Sequence, residues 1–311
     1  MHDDGTVRID AHLSHFGPGT FAHLFIRSPL LLRSSDDRAA SRTFDINATE
    51  TTMESSLPAE ARSHLGNHPF WGLHAILKTG RWIDLTHTAD EASPLWSGFT
   101  KMSRSALFNL DEHGFQAHVF THVGQWGTHV DPPSHFHGGL RALDQLDVGE
   151  QLLPLVVIDV HAKVAANPDY TVSMDDVRDW ERRNGALPRG AFVALRTDWS
   201  KRWPDHASMT NLDAAGISHT PGWSGDVIDY LFDHCAATAC GHETLDTDPG
   251  SATSRADFSL EGRVLSKDRY QIELLAHLDA VPEAGALVVV AFPKVRGATG
   301  FPARVFAIAP A

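Results

Sequence analysis

Gln125-Trp126-Gly127-Thr128-His129-Val130-Asp131-Pro132-Pro133-Ser134-His135-Phe136 gathers several groups able to bind a metal or move a proton, interleaved with apolar and turn-forming residues. On an extended strand alternate residues face one side, so Gln125, Gly127, His129, Asp131 and His135 share a parity. The Cα atoms of His129 and Asp131 would stand roughly 6.6 Å apart, which suits two ligands converging on one ion. Gln125 would lie about 13 Å from His129 on a straight strand, too far for convergence. Gly127 offers the remedy, because a residue without Cβ tolerates a bulge or sharp bend. Pro132-Pro133 then stiffens the exit and confines the path to His135.

A histidine beside an activated water suits proton transfer, since its reference pKa lies near neutrality. A divalent ion lowers the pKa of its water and polarises a carbonyl. The stretch therefore holds the ingredients for hydrolysing an amide, imide or ester. Spacing alone leaves a plainer reading open. Asp before Pro-Pro is also a common turn opening, and strand histidines often serve as buried hydrogen-bond partners.

Working outward, Arg81–His87 alternates as a strand does, after a helix ending near Ala75-Ile76-Leu77 and closed by Gly80. Ala106–Leu110 and Gln116–Val123 read as strands joined by a turn at Asp111-Glu112-His113-Gly114. Leu152–Val160 and Ala191–Thr197 are apolar runs of buried-strand length. Ser173-Met174-Asp175-Asp176 opens a helix through Asn184, with Asp in the capping-box position, and Gly185 and Pro188 end it. Gly225–Cys235 has helical spacing and Ala237–Thr244 returns as a strand. Beyond a loop at Asp246–Asp257, Tyr270–Leu278 reads as a helix, Ala286–Pro293 as a strand and Val305–Ile308 as a closing strand. The fold class expected is α/β: a single domain with a mixed β-sheet core flanked by helices, over residues 71–311. Residues 1–70 lack sustained periodicity and read as an extension, partly disordered or draped on the surface, with a short helix after Pro58.

Composition narrows the functions. The 311 residues suffice for a large core. A formal charge of −13 with no run of Lys or Arg argues against nucleic acid. The longest apolar runs are too short to span a membrane. Two cysteines, Cys235 and Cys240, make no disulfide framework and suit buried thiols in a reducing cytoplasm. With 20 histidines, a lone one carries little weight.

The central stretch resembles the H-x-G-T-H-x-D-x-P-x-H signature of the cyclase-like metal-dependent hydrolases, which include bacterial kynurenine formamidases and isatin hydrolases. Agreement continues in Arg81–His87, in Pro94-Leu95-Trp96, in Gly241–Asp248 and in Gln271-Ile272-Glu273-Leu274-Leu275, covering roughly residues 75–309. The resemblance implies metal ligation by Gln125, His129 and Asp131, proton transfer by His135, a late ligand at Glu273 and substrate contact by Trp96. Phe136 joins Trp96 as an expected wall for a flat or aromatic acyl group. A homodimer or homotetramer is implied too.

Two positions depart from the signature. Gln125 stands where most relatives have His, and a carboxamide oxygen is harder and weaker than imidazole, favouring Mn²⁺ over Zn²⁺. Glu261, twelve residues before Glu273, replaces a histidine of dinuclear members, which favours one divalent ion. The expected function is hydrolysis of a small amide, cyclic amide or lactone, with His135 as general base and acid. Its alternatives are a cyclase or dehydratase on the same site and an inactive small-molecule-binding relative. His122 is expected as a packed strand residue, His137 as exposed, and His87, Trp126, His242 and Glu243 as structural or wall residues.

Overall fold

A computed structural model describes residues 59–66 and 68–311. Most of the expected extension lies outside the described residues. Its short helix after Pro58 is present as Ala59–Leu65, and a second helix, Pro69–Lys78, runs across the expected boundary at residue 70. The strands in chain order are β1 (Arg81–Asp84), β2 (Ser103–Phe108), β3 (Ala117–Thr121), β4 (His129–Asp131), β5 (Leu152–Asp159) and β6 (Phe192–Arg196). There follow β7 (Ala239–His242), β8 (Tyr270–Glu273), β9 (Ala286–Ala291), β10 (Phe301–Pro302) and β11 (Arg304–Ala309).

Nine of these form one mixed sheet in the order β1-β11-β9-β5-β6-β7-β8-β4-β10, and β2 pairs with β3 as a separate ribbon. Strands β5 to β8 are parallel neighbours. Such neighbours need crossovers, supplied here by helices at Met174–Asn184, Gly225–Asp229 and Ser259–Ser266. The sheet curls on itself. Only Ala303 separates edge strand β10 from β11, which lies beside the opposite edge, and Thr86 bridges to Leu275 beyond β8.

The two faces bury separate cores. One holds Val130, Leu155, Phe192, Tyr270, Ile272 and Val305. The other packs Val156, Val193 and Cys240 against Val177, Trp180, Ile228 and Val264 of the crossover helices. Trp180 is 2% exposed, so truncating it to Ala would cost about 3–5 kcal/mol. The helix carrying it begins as its capping box implies, with Ser173 accepting from the Asp176 N–H.

Two elements differ from expectation. The turn expected at Asp111-Glu112-His113-Gly114 is a short helix, Leu110–His113, capped by the Asn109 side chain, which ends the preceding strand at Phe108. The second lies at β8. Tyr270–Leu278 has helical spacing of apolar residues, yet its first four residues are β8. Gln271 and Glu273 face the site while Tyr270 and Ile272 face the core, so all four are buried. Inward-facing polar groups hide the period of two. The nearest helix is instead Ser259–Ser266, with a short turn of helix at Gly250–Thr253 inside the expected loop.

Candidate metal centre and active site

Strands β4 and β8 pair antiparallel with His129 opposite Glu273 and Asp131 opposite Gln271. Two i,i+2 pairs therefore project from one face, at the C-terminal ends of parallel strands β7 and β8. Thr128 fixes the register by donating to Leu274 O at 2.6 Å and accepting from the His87 N–H at 3.0 Å. Gly127 bends the chain at φ +62°, where an added Cβ would lie 2.9 Å from Ala89 Cβ. His135 does not continue the strand. It ends a 3₁₀ turn, Pro133–His135, that carries the ring back over the site.

The buried geometry calls for a cation. His129 Nδ1 lies 2.8 Å from Gly127 O, which can only accept, so Nδ1 carries the proton. Nε2 is then the atom left for a ligand whenever the ring is neutral. It is buried without a hydrogen bond, yet Asp131 Oδ2 lies at 3.3 Å and Glu273 Oε2 at 3.5 Å. Three ligand atoms converge within reach of one point, where a divalent ion would replace the protons that His129 and Glu273 otherwise hold. A second set, Asp131, His135 and Glu261, shares Asp131 with the first.

The charges agree. Burial and the neighbouring carboxylates Glu261 and Asp131 push Glu273 well above the usual carboxylate range. Burial, Asp131 and Asp246 do the same to Glu261. Burial works against ionised Asp131, but His129 and the Gln125 amide outweigh it and hold the pKa at about 2. Burial also opposes a charged His129, and Asp131 reverses that, leaving its pKa raised. His135 is lowered by burial, with partial relief from Asp131. A ring so lowered is neutral near pH 7 and able to accept a proton.

Buried groups outside the motif set these positions. Gln271, fully buried, donates from Nε2 towards Glu273 Oε1 (3.1 Å), Glu261 Oε1 (3.2 Å) and Asp131 Oδ2 (3.4 Å). Asp248 accepts from the N–H groups of Leu260 (2.9 Å) and Glu261 (2.9 Å), anchoring the helix that carries Glu261. Trp223 donates to His242 Nδ1 at 3.3 Å, so the neutral His242 ring carries its proton on Nε2, 3.3 Å from Glu273 Oε1. Burial keeps His242 neutral, with a pKa of about 3.

Gln125 borders the cluster. Its Nε2 donates to Thr299 O (2.9 Å) and Asp131 Oδ1 (3.1 Å). A carboxamide offers a metal only its oxygen, so ligation by Gln125 requires the amide to turn from this pose. Trp96 and Phe136 both line the adjoining cavity of about 390 Å³, with Leu95, Phe99, Leu245 and Phe258. Trp96 packs so closely on the chain that a Cβ on Gly98 would fall 1.7 Å from its ring.

The remaining histidines separate. His122 bonds Val123 O at 2.7 Å and packs on Trp126 and Phe301. His87 stacks on Trp203 at 4.4 Å between ring centres. Glu243 accepts from Thr197 and Ser200, away from the cluster. His137, expected to be exposed, is half-buried and bonds Gly262 O at 2.7 Å, because the helix of Gly262 packs over its turn. Sequence reasoning passed over Thr247, Asp246 and Asp248 as ligand-side groups and did not single out Gln271, although all four lie in stretches matching the family order.

The sequence model of the cyclase family matches residues 83–249. This chain belongs to that family. Over 189 residues it is 34% identical to an isatin hydrolase of Roseibium aggregatum, covering 59% of this chain and 71% of that one. A kynurenine formamidase of Bacillus anthracis is 34% identical over 86 residues, 27% of this chain and 41% of that protein. Among solved structures, isatin hydrolase A from Labrenzia aggregata bound to benzyl benzoate superposes with a TM-score of 0.71 at 29% identity, covering 79% of this chain and 99% of that one.

Proposed function

We propose that this chain is a metal-dependent hydrolase of a small aryl amide or cyclic aryl amide. The hydrolase class comes with the cyclase family and its isatin hydrolase relatives. The observation that carries the reading is the convergence of His129 Nε2, Asp131 and Glu273 on one point in the wall of an aromatic cavity. His129, Asp131 and Glu273 would hold one divalent ion, with Gln125 as a fourth ligand after its amide turns. When bound, the ion supplies Lewis acidity towards water and the scissile carbonyl.

The chain's own groups do the rest. His135, neutral and half-buried, takes the proton of the attacking water and returns it to the departing nitrogen. Gln271 holds the carboxylates in place. Trp96, Phe99, Phe136 and Phe258 sandwich a flat acyl or anilide group and exclude water from it. Mn²⁺ is favoured over Zn²⁺ because oxygen donors outnumber nitrogen.

A homodimer or homotetramer would bury the exposed Leu107, Val119 and Phe120 of the β2–β3 ribbon. A cytoplasmic setting rests on the free Cys235 and Cys240. Among the described residues no helix is long and apolar enough to cross a membrane. Residues 71–311 remain the proposed hydrolase domain, with 1–70 as its extension.

The test is a panel of N-formyl arylamines, isatins and lactones with Mn²⁺-loaded protein in ¹⁸O-labelled water. One ¹⁸O in the acid product supports hydrolysis. Turnover without label would install the cyclase or dehydratase reading, and tight binding without turnover the inactive one.

A further inference from the structure

The Gln125 amide sits in a notch made by two glycines. A Cβ on Gly300 would fall 1.9 Å from Gln125 Nε2 and 2.6 Å from its Cδ, so no larger residue leaves room for the amide. Gly124 faces the same backbone, and a Cβ there would fall 2.4 Å from Gly300 O. Gly300 has no positive φ, so space rather than backbone conformation calls for glycine there. In the notch both amide protons are spent, on Thr299 O at 2.9 Å and on Asp131 Oδ1 at 3.1 Å. A carbonyl and an ionised carboxylate only accept, which fixes the nitrogen on their side. The bond to Asp131 is one of the contacts that keep that carboxyl ionised.

Thr299 belongs to the connection 292–300 between β9 and β10, which is exposed over most of its length. Away from the site, the Gly297 N–H donates to Asp144 Oδ1 at 2.8 Å and Ala298 O accepts from the Leu143 N–H at 3.0 Å. The Gln125 bond leads instead to the metal cluster. A half-turn of the amide exchanges its two ends in place. Its oxygen then faces Thr299 O and Asp131 Oδ1, acceptor against acceptor. A divalent ion held by Asp131 and Gln125 offsets the second opposition. The first has no such remedy, so Thr299 must withdraw.

We infer that Gln125, Thr299 and Gly300 form a latch that couples the metal centre to the connection 292–300. The amide either anchors Thr299 through its nitrogen or ligates an ion through its oxygen. Loading the centre therefore releases the connection. The inference rests on the metal-dependent reading above and adds a moving part to it, a surface segment that answers to metal occupancy. Gly300 makes the latch possible, because only a residue without a side chain lets the amide reach both of its acceptors.

Hydrogen exchange, followed by mass spectrometry on peptides covering 292–300, reads the latch without depending on turnover. Chelator-stripped wild type is compared with Mn²⁺-loaded wild type, and elemental analysis counts the bound ion. Loading should speed exchange at the Gly297 and Ala298 N–H groups about fivefold or more, while β5 stays unchanged. Gln125→Met keeps the bulk and deletes the donor, whereas Gly300→Ala fills the notch. Stripped of metal, both variants should already exchange at the fast rate, and loading should alter them by less than about twofold. The two act by different routes, so misfolding of one leaves the other to decide. A wild type that binds the ion with its exchange unchanged or slowed would overturn the latch and leave the metal reading intact. Stripped variants that exchange as slowly as stripped wild type would do the same. A wild type that retains no ion would overturn both.

Discussion

Thr247 Oγ1 donates to Gln271 Oε1 across 2.7 Å, and that bond decides which end of the buried amide meets the site. With the oxygen engaged, the NH₂ points at Asp131, Glu261 and Glu273. Thr247→Val keeps the shape and deletes the donor. The amide can then turn its oxygen to three carboxylates, which repels them and disorders the ligand set. Groups that orient metal ligands typically contribute 10–100-fold to affinity. Titration of stripped Thr247→Val with Mn²⁺ should give a Kd weaker by about that factor. An unchanged Kd would show the bond to be incidental.

His135 and Glu261 stand 3.8 Å apart across the second acidic set, so His135 could serve as base or ligand. The base role predicts that His135→Ala loses about 10²–10⁴ in kcat while keeping its bound metal. Elemental analysis beside the kinetics separates the cases. Metal lost together with activity would make His135 a ligand.

Gln125 offers a test of metal choice. Wild type should bind one tight ion per chain and favour Mn²⁺. Gln125→His should move the preference towards Zn²⁺, since imidazole is the softer donor. Competition between the two ions, read by elemental analysis, measures the change. Two tight ions in the wild type would mean that the Glu261 set is occupied as well.

The sequence exposed the site unevenly, for physical reasons. His129, Asp131 and His135 lie within nine residues that start at Gly127 and include Pro132-Pro133, so spacing and turn chemistry pointed at them. The apolar runs of β5 and β6 and the capped helix at Met174–Asn184 were legible because burial and capping leave periodic signals. Gln271, Thr247 and Asp248 left none. They are ordinary polar types, common on surfaces, and only pairing β8 between β7 and β4 brings them under the cluster. The same pairing disguised β8, whose polar residues face inward.

Asp176 ties stability to pH. Burial disfavours its charge, but Lys163, Tyr170 and Ser173 outweigh burial and hold its pKa below the usual value. A carboxylate depressed on folding stabilises fully above its unfolded pKa of about 3.9. That contribution is lost as pH falls through the folded value. Asp176→Asn should therefore cost about 1–3 kcal/mol at pH 7, and the gap to wild type should narrow below pH 4. Thermal unfolding at several pH values checks it. A gap constant down to pH 2.5 would assign the loss to packing.

Gly98 and Trp96 give the last prediction. A Cβ on Gly98 would overlap the Trp96 ring at 1.7 Å, a backbone-side clash that the indole can relieve only by leaving the cavity wall. Gly98→Val should thus resemble Trp96→Ala in its kinetics although it adds volume. If the indole binds the aryl group equally in ground and transition states, both variants raise KM with kcat nearly kept. One large side chain contributes about 1.5–3 kcal/mol when buried against a ligand, or roughly 10–150-fold in KM. The double variant should then be no worse than Trp96→Ala alone, because both changes remove one contact. Additive losses would place the effect of Gly98 in the loop itself rather than in the position of the ring.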